Sequence, residues 1–377
     1  MGERIVKKIT EILNFRDCIY TGQALFFYAN DIGRIVKYDL QKNTNTILSY
    51  DSQNVDLDLA IYYDGVIYLV EVSGKNLVVY HLKDDTWKWV PIGCDNDQDG
   101  NFAYLDHASH KILIFTREQQ TLVLYDVIRE RIERVRYPAD ASKRYITGCR
   151  FRDRYLIFPE NGQNVLEYDV MNRQWKVHHL SEALKNCVHV MVSEDEIYIL
   201  QTNGRILRWN YESGEMEVII SAENVYEEKK AAVRLCLTKE DIIVLPSLAK
   251  DIIRIHRGNY EATIYRDYPK DFSYDVERKY WSKYYGYCES DAEYYFSCRT
   301  SEYILKVEKQ SGNISWIKSE ISRWEIIKAY MEKRGYYYEG ESDLRCLLEM
   351  VGAGADKKNT RDMTVNYGKE IYRRIRR

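Results

Sequence analysis

The sequence is short of proline, of long apolar stretches and of net charge. Only 5 of its 377 residues are Pro. No stretch of about 18 apolar residues occurs, so we expect no membrane span. The net charge of −3 gives no global field that would attract a polyanion, so we expect no nucleic-acid partner. The composition excludes collagen-like, coiled-coil and membrane-spanning proteins.

Sequence motifs for cofactors and catalysis are also missing. The eight cysteines contain no CxxC pair, which argues against structural zinc. GxSxG, Walker and HExxH motifs do not occur, so three strong enzyme signals are absent. The first residues show no apolar run of signal-peptide length. We therefore expect a cytoplasmic protein with buried, reduced thiols.

What the sequence has in excess is tyrosine, 34 residues against 9 Phe, together with an internal repeat. The first repeat has an apolar strand from Ala24 to Tyr28, a turn, and a second strand ending at Tyr38-Asp39. Further copies follow at intervals of 41–52 residues, a period typical of propeller blades. The positions equivalent to Tyr38 are Tyr80, Tyr125, Tyr168, Trp209, Ile255 and Val307.

Each repeat predicts four strands, with apolar alternation in the strands and Gly, Asn and Asp in the turns. A single sheet of this size cannot bury both faces, whereas seven sheets around an axis can. The sequence therefore predicts an all-β, seven-bladed propeller over residues 14–320. In the second repeat the predicted strands run from Leu57 to Tyr62, Val66 to Val72, Leu77 to Leu82 and Thr86 to Val90.

The segments Val79–Trp87 and Glu167–Trp175 resemble the second half of kelch-type blades, and the repeated region resembles bacterial propellers of the kelch and WD40-like type. The chain lacks the Gly-Gly pair of kelch repeats and the Gly-His and Trp-Asp pairing of WD40 repeats. The resemblance implies a propeller with a binding role and carries over no catalytic residue. It also implies that ligands meet the face that carries the loops between blades.

The two ends of the chain lie outside the repeats. Residues 1–13 suit either a short helix or an extra strand that closes the ring. Residues 321–377 predict a helical extension, because apolar residues there follow helical spacing.

An aromatic insertion before the last repeat is the first candidate binding region. The segment from Tyr268 to Tyr287 mixes aromatic rings with cations, a combination that suits sugars or a peptide. The alternative is that these rings form a small core of their own. The candidate ligand-binding residues here are Tyr280, Trp281, Lys283 and Tyr284.

Cations before and inside neighbouring first strands form the second candidate region. Lys143, Arg144 and Lys230 lie in loops between blades, while Arg150 and Arg234 lie within predicted first strands. Together they would favour an anionic ligand at one rim. The alternative is that these cations are ordinary solvated side chains.

One acidic loop resembles a calcium-binding loop. Asp95, Asp97 and Asp99 precede Gly100, and Asp106 falls at the twelfth position. Glu is usual at that position and no helix is predicted beside the loop, so a solvated acidic turn is the alternative. No other cofactor is expected.

These features predict a non-catalytic binding or scaffold protein that recognises a protein or glycan-like ligand on the propeller rim. The alternative is a carbohydrate-active hydrolase or lyase with its site in the central channel. There His189 would act as acid or base, aided by Arg150 and Arg234. A carboxylate pair or a His–carboxylate pair deep in the channel would favour the enzyme.

Overall fold

The computed structural model describes residues 15–29, 32–48, 56–93, 102–220, 232–247, 251–270, 272, 284–298, 301, 303–321, 325–326 and 329. These residues form 28 strands in seven four-stranded antiparallel sheets. The first four blades contain, in order, β1 Phe15–Tyr20, β2 Ala24–Ala29, β3 Arg34–Asp39, β4 Thr44–Leu48; β5 Leu57–Tyr63, β6 Val66–Glu71, β7 Asn76–His81, β8 Thr86–Pro91; β9 Phe102–Ala108, β10 Lys111–Thr116, β11 Thr121–Asp126, β12 Arg131–Arg136; β13 Tyr145–Phe151, β14 Arg154–Pro159, β15 Gly162–Asp169 and β16 Gln174–Leu184.

The remaining three blades repeat the same order. They contain β17 Cys187–Ser193, β18 Glu196–Gln201, β19 Ile206–Asn210, β20 Met216–Ile220; β21 Ala232–Leu237, β22 Asp241–Pro246, β23 Ile253–His256, β24 Ala262–Ile264; β25 Tyr284–Glu289, β26 Glu293–Cys298, β27 Tyr303–Glu308 and β28 Ile314–Lys318.

The seven sheets close into a ring around a central channel. The first strands of successive blades contact one another, and β25 of blade 7 contacts β1 of blade 1. The predicted seven-bladed propeller is therefore confirmed, whereas its kelch or WD40 type stays a prediction. We call the end of the channel where the first strands begin the mouth, and the opposite end the base.

Burial is greatest in the second strands and lowest at the rim of each blade. Both faces of a second strand pack against neighbouring blades, so β2 and β22 are buried throughout, and β2 reads as a continuous apolar run. Fourth strands lie at the outer edge, and every residue of β24 is exposed. Each fully buried Leu, Ile or Phe side chain contributes about 1.5–3 kcal/mol to folding.

The repeated Tyr-Asp sequence is explained by the turn between the third and fourth strands. The carboxylate of Asp39 accepts hydrogen bonds from the backbone N–H groups of Gln41 and Lys42, at 3.0 and 2.9 Å. These bonds hold the pKa of Asp39 below its ordinary value. The preceding aromatic ring packs on the fourth strand, as Tyr80 does on Trp87 with 4.1 Å between ring centroids. The aspartate thus fixes the turn and the aromatic ring fixes the hairpin.

The junction between the last and first blades, which we call the seam, includes the start of the C-terminal extension. Ile321, Ile326 and Ala329 are buried against the core of blades 1 and 7. Residues 325, 326 and 329 are helical, in agreement with the predicted helix at this point. This part of the extension therefore belongs to the core and is not a separate appendage. The rest of it, and residues 1–13, lie outside the described residues.

Candidate binding site at the channel mouth

The site is built by irregularities at the start of the first strands. Each of these strands contains a β-bulge within its first residues. In blades 1, 2 and 7 two unpaired first-strand residues face one unpaired residue of the second strand; in the other blades one unpaired first-strand residue faces none. Bulges redirect side chains, and here the unpaired pairs place charged and tyrosyl groups at the mouth. These pairs are Arg16-Asp17, Asp58-Leu59 and Tyr285-Gly286.

Five side chains from five blades meet around Tyr285, and we call them the axial cluster. The guanidinium groups of Arg16 and Arg234 lie over the Tyr285 ring, at 5.6 and 5.8 Å from its centroid. Arg234 also donates to the Tyr285 backbone carbonyl, from Nη2 at 2.8 Å and Nε at 3.3 Å. Arg117, from the turn after the second strand of blade 3, acts on the Tyr285 hydroxyl through its charge. The fifth member is Asp58.

Asp58 is the acceptor of the axial cluster. Its Oδ1 accepts a hydrogen bond from the Tyr285 hydroxyl at 3.4 Å and lies 4.0 Å from Nη1 of Arg16. The side chain is only 3% exposed, yet its Oδ2 has no hydrogen-bond partner among the described residues. The same holds for the buried Nε of Arg117. An unpaired buried acceptor and donor each cost about 1–3 kcal/mol, so both favour a ligand that pairs with them.

Asp17 forms a second layer beneath the cluster. Its two carboxylate oxygens accept backbone N–H bonds from Cys18 and Ala60, at 3.0 and 2.8 Å, and so connect blade 1 to blade 2. Burial raises the pKa of Asp17 to about 6, and the charge of Asp58 adds to the shift. The channel therefore holds two neighbouring carboxyl groups, Asp17 and Asp58.

His189 and Arg234 occupy the channel wall, as predicted for first-strand residues. His189 is buried, and its Nδ1 accepts the backbone N–H of Leu235 at 3.3 Å. Burial and then the charge of Arg234 hold the pKa of His189 well below its ordinary value. His189 is therefore neutral, and it can take a proton at Nδ1 only by losing that bond. This geometry weakens its predicted role as an acid or base.

The other predicted cations and rings are dispersed. Lys143 is exposed in the loop before blade 4. Arg144 beside it pairs with Glu118 and Glu160, so part of its charge is compensated. Arg150 lies near the base, at the opposite end of β13 from Arg144. Tyr284 is fully buried in the core and does not face a ligand. Lys230, Tyr280, Trp281 and Lys283 lie outside the described residues.

The described start of the aromatic insertion packs inward. Tyr268 and Phe272 stack with centroids 5.6 Å apart, and both contact Trp316 of β28. The Tyr268 hydroxyl also accepts the backbone N–H of Ile252 at 2.9 Å. For these two rings the alternative interpretation, a small core of their own, is the one observed.

The predicted calcium loop can be located only at its last residue. Asp95, Asp97 and Asp99 lie outside the described residues. Asp106 lies in the channel wall of blade 3, where it accepts hydrogen bonds from the Tyr104 hydroxyl and the His107 backbone N–H. No three metal-ligating side chains cluster within the described parts of the chain. Calcium binding by the loop stays a prediction.

A His–carboxylate pair exists, but it lies outside the channel. Glu167 of blade 4 accepts hydrogen bonds from His178 Nε2 and from the hydroxyl of Tyr211 in blade 5, both at 2.6 Å. Burial alone would raise the pKa of Glu167, but these two bonds outweigh it and lower the pKa. The Glu167 carboxylate has hydrogen-bond partners in two blades and joins them, so it has a structural role.

Sequence reasoning missed Arg16, Asp17, Asp58 and Arg117. The available signal was a charged residue near the start of a first strand, such as Asp58 between Leu57 and Leu59. The contacts themselves could not be inferred, because Asp58 and Tyr285 are separated by 227 positions in sequence.

Comparisons with known proteins support the fold and do not identify the function. No protein-family model matches the chain, and no curated protein matches it in sequence. Virginiamycin B lyase from Staphylococcus aureus is similar in structure, with a TM-score of 0.60, 11% identity, and coverage of 76% of this chain and 92% of the lyase. BamB from Moraxella catarrhalis has a TM-score of 0.50 and 11% identity, covering 78% and 82% of the respective chains.

A larger protein contains a similar region. PorZ, described as a bacterial surface component of the type-IX secretion system of Porphyromonas gingivalis, has a TM-score of 0.57 and 16% identity. The match covers 82% of this chain but only 39% of PorZ. No helix within the described residues is long and apolar enough to cross a membrane. At these identities the similarity establishes a β-propeller fold shared by proteins of different roles.

Proposed function

We propose that the protein is a non-catalytic binding module that takes a hydroxyl-rich, glycan-like ligand at the channel mouth. The observation that carries the proposal is that two residues acting on Tyr285 each have an unsatisfied buried atom, the acceptor Asp58 Oδ2 and the donor Arg117 Nε. The site belongs at the mouth and not on the aromatic rim, because Tyr268 and Phe272 are used for packing. The proposed location is the cytoplasm.

The donor and acceptor pattern favours hydroxyl groups. A hydroxyl can donate to Asp58 and also accept from an arginine, whereas a simple anion would be repelled by Asp58. Adjacent hydroxyls on a sugar ring offer both functions at short separation. The three arginines outnumber the two carboxylates Asp17 and Asp58, so an additional acidic group on the sugar is favoured.

The test is binding of the full-length chain to a glycan array, followed by titration calorimetry with the glycans that bind. Asp58→Asn and Arg117→Gln should each reduce affinity about tenfold or more, because each removes a hydrogen bond to a charged group. Arg131→Gln, an exposed position on the outer strand β12, is the matched control and should bind like the wild type.

Two results would contradict the glycan proposal. One is unchanged affinity of Asp58→Asn for the glycans that bind. The other is an array without binding, combined with Asp58-dependent capture of one protein from lysate. That second outcome would favour the protein ligand that the sequence also allows.

A carbohydrate-active hydrolase or lyase is the second candidate, and one observation favours it. Asp17, with its pKa raised to about 6, lies beside Asp58, and a pair of carboxyl groups is the usual acid and base of glycoside cleavage. The two backbone bonds to Asp17 favour a structural role instead. New reducing ends or unsaturated products, formed by the wild type and not by Asp58→Asn, would establish the enzyme and overturn the non-catalytic proposal.

A further inference from the structure

Two cysteines meet at the seam where the ring closes. Cys18 lies on β1 of the first blade and Cys288 on β25 of the last, 270 positions apart in sequence. Their Sγ atoms are 2.8 Å apart, closer than two non-bonded sulfurs normally approach. Both strands are first strands in direct contact at the channel wall. The two sulfurs are therefore close enough for a disulfide to form after a small movement of their side chains.

A covalent bond across the seam would reinforce a junction between the first and last blades. Each described blade consists of four consecutive strands, so no strand within the described residues is exchanged between the first and last blades. Among the described residues, contacts across the seam include Tyr20 stacked on Tyr295 and Asn45 hydrogen-bonded to Ser319 and to the Glu320 carbonyl. A bond between Cys18 and Cys288 would hold the two end blades together.

We propose that Cys18 and Cys288 are an oxidation site, and that a low-molecular-weight disulfide such as oxidised glutathione converts them to a disulfide that locks the ring. Cys288 is half-buried and Cys18 is buried, so Cys288 reacts first. Its thiolate attacks the small disulfide, forms a mixed disulfide and releases one small thiol. The Cys18 thiolate then attacks the Cys288 sulfur and releases the second small thiol. Two protein S–H bonds are lost, and both electrons reduce the small disulfide.

The reaction has a defined pH dependence. Aspartate and glutamate face this pair from β1 and β25, since Asp17 and Glu289 both act on the Cys288 thiol, while burial is the largest cause of its raised pKa. Burial and the neighbouring Cys288 likewise raise the pKa of Cys18. Because the thiolate is the reactive form, oxidation should accelerate about tenfold for each pH unit between 7 and 9.

Other cysteines of the channel wall provide a comparison. Cys149 and Cys187 lie on the neighbouring first strands of blades 4 and 5, and both are buried. No sulfur–sulfur contact links these two within the described residues. Cys149→Ala therefore leaves the proposed reaction intact and serves as the control.

The experiment treats the full-length protein with oxidised glutathione at pH 8.5, followed by peptide mapping without reduction. The expected result is a linked pair of peptides containing Cys18 and Cys288, lighter by two hydrogens than the separate peptides. The midpoint of thermal unfolding should rise by about 5–10 °C on oxidation, because the bond closes a loop of most of the chain. Cys149→Ala should show both effects, and Cys288→Ser neither.

The peptide map of the wild-type protein tests the proposal even if Cys288→Ser does not fold. Cys18→Ala is a second variant that cannot form the disulfide. Absence of the linked peptide after oxidation would overturn the proposal. So would an oxidation-induced rise in the midpoint that persists in both variants. Neither result bears on ligand binding by the axial cluster, so the two proposals fail independently.

Discussion

The channel mouth differs between the arc of blades 7, 1 and 2 and the arc of blades 4, 5 and 6. In the first arc two first-strand residues are unpaired at each bulge, and they include Arg16, Asp58 and Tyr285. In the second arc one first-strand residue is unpaired at each bulge and it is apolar, as are Val188 in blade 5 and Val233 in blade 6. One repeated sheet thus supplies both a packed wall and a polar site.

The comparison teaches that the arc of blades 7, 1 and 2 supplies most of the axial cluster, while Arg117 of blade 3 and Arg234 of blade 6 act on Tyr285 from outside this arc. The seam within this arc also holds the cysteine pair and the buried start of the C-terminal extension. Other polar groups of the opposite arc form hydrogen bonds within the wall, as His189 and Leu235 do, or between blades, as Glu167 and Tyr211 do. We expect changes at residues that contact the axial cluster to affect binding, and changes of packing residues in the opposite arc to affect stability alone.

The largest expected effect is at the extension. Ile326 is fully buried against blades 1 and 7, so Ile326→Ala should cost about 2–4 kcal/mol of the free energy of unfolding. Ile128 is 74% exposed on blade 3, and Ile128→Ala should stay within about 0.5 kcal/mol. Urea titration of both variants measures the difference. Equal stability of the two would mean that the extension does not support the seam.

A pH effect is expected at Asp17. Its pKa is about 6 in the folded protein and about 3.9 in the unfolded chain, so the unfolded chain releases the proton more readily. The ionisation of Asp17 therefore does not change the free energy of unfolding below pH 3.9. As the pH rises from there to 6, it lowers that free energy progressively, by about 2–3 kcal/mol. Asp17→Asn should remove that loss, which unfolding titrations at pH 4 and 7 would detect.

Asp39 provides the control of opposite sign. Its pKa is lowered, mainly by the backbone N–H of Lys42, so its ionised form stabilises the fold and this stabilisation disappears on acidification. Asp39→Asn should therefore be more harmful at pH 7 than at pH 4. The Asp17 prediction is contradicted if both variants change with pH in the same direction.

The smallest expected effect comes from two glycine variants, which distinguish a loss of ligand binding from a loss of packing. A methyl group on Gly286 would lie 2.4 Å from Ser297 Oγ and 2.8 Å from the Arg16 carbonyl, so Gly286→Ala must displace β1. Gly148 in blade 4 is equally crowded, by the Leu156 carbonyl and the Tyr104 ring at 2.7 Å. Each alanine should cost about 1–3 kcal/mol of stability.

Of these two variants, only Gly286→Ala should also weaken ligand binding, because only Gly286 adjoins Tyr285 and Arg16. Calorimetry on both variants, at a temperature where each remains folded, measures this. An equal loss of affinity in Gly148→Ala would mean that the mouth responds to general destabilisation and that the two arcs are not distinct.

The sequence predicts the outer parts of each blade better than the channel. The third-strand positions from Tyr38 to Val307 could be assigned because a local turn recurs at each period. In four blades a side-chain oxygen accepts backbone N–H bonds from residues two or three positions later, at Asp39, Asp126, Asp169 and Asn210. The four strands of the second blade agree with prediction to within one residue at each end.

The axial cluster could not be predicted, because its contacts join residues that are distant in sequence and depend on unpaired bulge residues. Arg150 illustrates the difficulty. It was correctly placed on a first strand, but the sequence does not tell whether a strand residue lies at the mouth or the base. Tyr284 and Tyr285 are adjacent in sequence, but Tyr284 lies in the core and Tyr285 at the axis, because Tyr284 is paired with Cys298 whereas Tyr285 is unpaired in the bulge.

The contiguous blade has a consequence for how such a chain can change during evolution. Since each described sheet is complete in one stretch of sequence, duplication or loss of one stretch adds or removes a whole sheet without leaving another sheet short of a strand. A gene encoding this architecture can thus vary in modular steps. The ends of the chain could equally be relocated to another inter-blade loop, such as residues 137–144, as a circular permutant with every sheet intact.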